Sequence, residues 1–122
     1  MREIKFRVYN PRDNKVHYDI TGFEYIDNGN MSGVFIDGDF FLKEEVELMQ
    51  YTGLKDKNGK EIYEGDIVQA TYYGKKVIGS INYWLGCFIL ENSCVSDNQL
   101  FVFDHVEVIG NIYENPELLK ED

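Results

Sequence analysis

Residues 3–9 alternate strictly, with Ile4, Phe6 and Val8 on one side and Glu3, Lys5 and Arg7 on the other, which is the period of a strand with one buried face. Residues 10–14 then supply a reversal. Pro11 fixes its own φ and Asp13-Asn14 offers local side-chain bonds, so residues 16–20 are expected to return antiparallel. Residues 23–26 read as a further short strand, residues 27–33 as a polar loop, and Val34-Phe35-Ile36 as its return; Gly29, Gly33 and Gly38 read as loop glycines. Residues 40–49 fit neither period. Lys43-Glu44-Glu45 favours a helical turn and Val46-Glu47-Leu48 a strand, so a short turn or helix over residues 42–45 is expected, then a strand.

The stretch from Gln50 to Val68, QYTGLKDKNGKEIYEGDIV, changes the character of the chain. Asn58-Gly59 is the pair that best tolerates the positive φ angles of a two-residue hairpin turn. The arms would be Thr52-Gly53-Leu54 and Glu61-Ile62-Tyr63, with Leu54 and Ile62 pointing inward. Glu64-Gly65-Asp66 makes a second turn, and a new strand begins at Ile67.

Beyond it lie strand candidates at residues 67–73, 77–83, 87–91, 100–103 and 106–113. Gly74-Lys75-Lys76, Trp84-Leu85-Gly86, a polar loop at residues 92–98 and Asp104-His105 separate them. That spacing suits a small SH3-like barrel. Asn115, Pro116 and Glu117 read as the cap, first position and favourable first-turn acid of a terminal helical turn. The predicted fold is mainly β, with α+β left open. It has an N-terminal β-rich segment at residues 1–50 and a C-terminal SH3-like small β-barrel with a short tail at residues 51–122.

Composition narrows the function. A chain of 122 residues suffices for one core or two small subdomains that support each other. A net charge of −10 repels phosphate backbones, and acidic residues outnumber basic ones on both sides of residues 50–68, so direct nucleic-acid binding is disfavoured. Lys55, Lys57 and Lys60 interleave with Asp56 and Glu61 as a solvated turn would. No apolar run approaches a membrane span and no export signal is visible, so a cytoplasmic protein is expected, with Cys87 and Cys94 reduced.

Candidate chemistry is sparse. His17, His105, Cys87 and Cys94 match no zinc spacing, and each histidine is better read as structural; Cys87 is expected to be a buried small hydrophobe. Glu64 and Asp66 flank Gly65, where turn geometry explains them better than acid–base work. No nucleophile sits in an elbow and no phosphate loop is present, so neither an enzyme, a cofactor nor a metal is expected. Tyr72, Tyr73, Tyr83 and Trp84 gather around the turns of the barrel and form the candidate partner-binding patch.

QYTGLKDKNGKEIYEGDIV together with VIGNIYENPELL at residues 108–119 resembles the YopX family of small phage and prophage proteins. The resemblance implies an SH3-type C-terminal barrel and supplies no site residues. The expected role is a small acidic protein-binding or assembly module of the host-cell cytoplasm, with a protein partner and a possible homo-oligomer, Phe40-Phe41-Leu42 and residues 116–119 being the contact segments. A nucleic-acid-associated factor and an acidic decoy of a host nucleic-acid-binding protein are the alternatives.

Overall fold

The structure, a computed structural model, describes residues 3–84, 86–91 and 103–119. It is mainly β, and every strand pairing among the described residues is antiparallel. The chain divides into two compact units, one of residues Ile4–Gln50 and one built from Tyr51 onward.

In the first unit, β1 (Phe6–Asn10) lies between β2 (Lys15–His17) and the start of β6 (Glu47–Lys55), with Val8 opposite His17 on one side and Leu48 on the other. The reversal at Pro11 keeps Asn10 as its organiser, whose Oδ1 accepts the Arg12 N–H. A second sheet runs β3 (Ile20–Tyr25), β4 (Met31–Ile36), β5 (Asp39–Leu42). Asp37-Gly38 joins β4 to β5 with φ of 48° and 89°, the pair of left-handed conformations that a two-residue hairpin needs. A 3-10 turn at Lys43–Glu45 follows, where the Glu45 carboxylate accepts the Leu42 N–H and pairs with Arg12 at 2.9 Å. Val8, Val34, Ile36 and Val46 form the core, ringed by Ile20, Phe23, Met31, Phe41 and Leu48.

In the second unit, the end of β6 pairs with β7 (Glu61–Tyr63). A curled half-barrel sheet then runs in the order β10 (Cys87–Glu91), β9 (Lys75–Trp84), β8 (Asp66–Tyr72), β11 (Asp104–Asn111). Ile62, Val68, Ala70, Val77, Ile81, Leu90 and Phe103 fill its concave side. A 3-10 turn at Pro116–Leu119 lies against β9.

Several expectations are corrected. Gly33 belongs to β4 rather than to a loop, pairing with Leu42 of β5, and glycine suits the position because an added Cβ would sit 2.4 Å from the Phe41 carbonyl oxygen. On β1, Val8 is in the core and Phe6 packs edge-on to Phe23 at 5.4 Å, whereas Ile4 lies before the strand and is exposed. Arg7, placed on the polar face by alternation, is only 2% exposed, its Nη1 donating to Tyr18 Oη at 3.2 Å. Its aliphatic stem tolerates burial while the head meets a polar partner. Leu54 points outward at 45% exposure, because Gly53, with φ of 87°, interrupts the β6–β7 register and shifts the alternation. Ile62 is buried as expected.

The tip of that hairpin is also displaced. Asp56 carbonyl accepts the Gly59 N–H at 3.0 Å, so Lys57 and Asn58 are the central residues and Gly59 takes the left-handed position after them, with φ of 83°. Asp104-His105 is part of β11, carried as a bulge with His105 at φ of 55° rather than as a turn. Cys87 is exposed at the open start of β10. Asn115 directs its Oδ1 back to the Asn111 N–H at 3.2 Å. Cys94 and nearly all of the strand candidate at residues 100–103 lie outside the described residues.

Gly59 and Gly65 both hold φ near 85°, at 83° and 89°. Gly59→Ala and Gly65→Ala are each expected to lower unfolding free energy by about 1 kcal/mol or more. The Gly59 site is open, with nothing within 4 Å of an added Cβ, so the loss there is backbone strain alone and Gly59→Asn recovers part of it. Equal midpoints for wild type and Gly59→Ala in urea titration would remove the strain assignment.

Candidate functional site: an aromatic and acidic cleft on β9 and β10

The four aromatic candidates separate into two pairs at opposite ends of the ten-residue strand β9. At roughly 3.3 Å per residue the ends lie about 30 Å apart. Tyr72 closes β8 and packs on the core, its ring 5.3 Å from Phe103. Tyr73 follows in the turn at φ of 48°, 90% exposed, edge-on to Tyr72 at 4.6 Å. These two make a hairpin tip rather than a groove, with one ring committed to the core.

Tyr83 and Trp84 end β9 and are 52% and 64% exposed. Tyr83 is braced edge-on by Phe88 at 5.0 Å, its cross-strand neighbour. Asn82 lies opposite Ile89, and the period of two puts Asn82 and Trp84 on one face of the hairpin with Ile89 and Glu91. With Glu64 from the turn after β7 and Tyr83 at the rim, these residues line a cleft of about 430 Å³. The Asn82 amide donates to the Glu91 carboxylate across the two strands. The site therefore offers aromatic and aliphatic walls with two carboxylates among them. The alternation in β9 and β10 was legible; the contribution of Glu64 was not, because its turn is brought there by the Gly65 N–H, which donates to the Ile81 carbonyl at 2.7 Å.

The remaining polar candidates serve the fold. Asp66 is buried and accepts the Tyr63 N–H at 2.8 Å, closing the turn around Gly65. Asp56, 7% exposed, accepts three backbone N–H groups: Asn58 and Lys60 on Oδ1, each at 2.9 Å, and Val108 on Oδ2 at 3.0 Å. Burial alone raises its pKa, but the amides of Val108, Lys60 and Asn58, with the Lys60 charge, outweigh it and hold the carboxyl below the ordinary value. Lys57 N–H donates to the Val106 carbonyl and Ile112 N–H to that of Gly65. The two stretches that carry the family resemblance thus meet as one hydrogen-bonded lock.

His17 pairs with Asp13 at 2.6 Å in the β1–β2 hairpin, beside a small hollow that Asp19, Asp37 and Asp39 also line. Among the described residues no three histidine, cysteine or acidic side chains are placed to hold a metal. His105 is exposed. No helix among the described residues is long and apolar enough to cross a membrane.

Fold and cleft together define a small antiparallel β protein with a half-barrel unit and a shallow aromatic–acidic surface. The chain belongs to the YopX family: the profile of the YopX protein family matches residues 5–120. The crystal structure of protein EF1440 from Enterococcus faecalis is similar, with a TM-score of 0.75 and 30% identity over 98% of this chain and 100% of that one. Protein YopX from Bacillus subtilis shares the fold, with a TM-score of 0.63 and 22% identity over 98% of this chain and 100% of that one. Comparison with curated proteins gives no match.

Proposed function

We propose that the chain is a small acidic protein-binding module that uses the Tyr83–Trp84 cleft and binds rather than catalyses. The observation that supports this reading is the cleft itself. Two large aromatic side chains remain solvent-exposed on rigid, paired strands, at little further ordering cost for a partner. A phage or prophage setting and a place in the host cytoplasm follow from the family resemblance and belong to the same proposal. The charge of −10 favours this reading over direct nucleic-acid binding.

Trp84→Ala is expected to weaken capture of the cognate host protein about ten-fold or more while leaving the melting temperature within a few degrees. Parallel affinity purifications with wild type, Trp84→Ala and Tyr73→Ala test it. A partner lost equally with Tyr73→Ala, or retained with Trp84→Ala, would move the site away from the cleft.

Self-association is the second reading, favoured by Phe40 and Leu42, both exposed on β5. Among the described residues that strand pairs only with β4, and an open apolar edge of this kind invites a second strand. A monomer by light scattering at tens of micromolar protein removes it.

A further inference from the structure

Within the protein-binding reading, we propose that the cleft takes the arginine side chain of an extended segment in a basic partner. Glu64 and Glu91 stand among Tyr83, Trp84 and Ile89 in one open cleft of about 430 Å³, which has room for a long side chain. An acidic or phosphorylated side chain would meet two carboxylates and be repelled. A purely apolar one would cover those carboxylates without compensating them, which costs free energy. A long basic side chain meets both demands, laying its apolar stem along Trp84 and Ile89 and its charged head toward Glu64 and Glu91.

Arginine suits the walls better than lysine, because its planar guanidinium stacks on an indole face and forks onto a carboxylate. The Asn82 amide bound to Glu91 orients that carboxylate in advance. The charge of −10 draws a basic segment toward the surface from a distance, while the cleft supplies the local fit.

Trp84 is the chain's only tryptophan, so its emission reports occupancy directly. The full-length protein is titrated with a short end-capped peptide of alternating alanine and arginine, and with versions carrying lysine, citrulline or glutamate in place of arginine. A saturable emission change with the arginine peptide is expected, with Kd several-fold higher for lysine and no saturation for glutamate. Glu64→Gln/Glu91→Gln is expected to raise Kd about ten-fold or more, and Glu91→Gln alone to raise it measurably. Glu44→Gln/Glu47→Gln removes the same charge from exposed positions outside the cleft and is expected to leave Kd within about two-fold.

Equal losses in the two double variants would overturn the proposal in favour of attraction by net charge alone. Equal binding of the citrulline peptide would overturn the cation while leaving the cleft a peptide site. No response of Trp84 to any of the peptides would overturn the arginine ligand, and the binding reading beneath it falls separately if partner capture is unchanged by Trp84→Ala.

Discussion

Asp56→Ala is expected to lower unfolding free energy by about 3 kcal/mol, since hydrogen bonds to a charged acceptor contribute about 1.5–3 kcal/mol each and do not add fully. Three backbone N–H groups, from Asn58, Lys60 and Val108, lose their acceptor at once. Asp56→Asn is expected to be little better, because its NH2 group would face whichever of those donors lies on its side. The same carboxylate sets an acid dependence. Its folded pKa lies below the ordinary value of 3.8, so its contribution is fully present well above 3.8 and disappears as pH falls through the lowered folded value. Urea titrations at neutral pH and at successively lower pH check both parts. Wild type should lose more stability than Asp56→Ala between about pH 5 and pH 2. Parallel loss in the two proteins would show that the acid sensitivity lies elsewhere.

Gly79→Ala is the second large effect. Gly79 sits in β9 opposite Val68 of β8, and an added Cβ would lie 2.4 Å from the Glu91 carbonyl oxygen and 2.5 Å from Leu90 Cδ2. The leucine methyl can move. The carbonyl belongs to the backbone of β10, so the strand itself must shift, and a loss of about 3 kcal/mol is expected. That shift moves Glu91 and with it one wall of the cleft, so Gly79→Ala should also change native Trp84 emission. Gly22→Ala is the control, its nearest neighbour lying at an ordinary 3.7 Å. If both variants unfold at the same urea concentration, the close approach of β9 to β10 carries no such cost.

What could be seen in the sequence was mostly local. The limits of β10 follow from a continuous apolar run between turn residues, and the turn at Lys43–Glu45 from helix-favouring charges after an aromatic run. Gly53 was harder, because nothing in its neighbours announces a bulge, and that single residue reverses the facing of Leu54. Asp37-Gly38 is a hairpin pair between the apolar runs Val34-Phe35-Ile36 and Phe40-Phe41-Leu42, and the turn it makes aligns β5 with β4 so that Gly33 falls within the sheet. Half of the aromatic site was legible as alternation in β9. The separation of Tyr72 and Tyr73 from it depends on the full length of that strand, and Glu64 arrives through a contact with Ile81 that local pattern does not encode. Cys87 is exposed because it stands at the start of β10, although the apolar residues that follow it continue inward.

The lock at Asp56 bears on how fast the chain finds this structure. Its bond to Val108 spans 52 positions. During folding the intervening chain must give up its freedom before that contact returns any free energy, and an all-antiparallel topology offers few helical contacts to compensate early. Folding on a millisecond-to-second scale is therefore expected rather than microseconds.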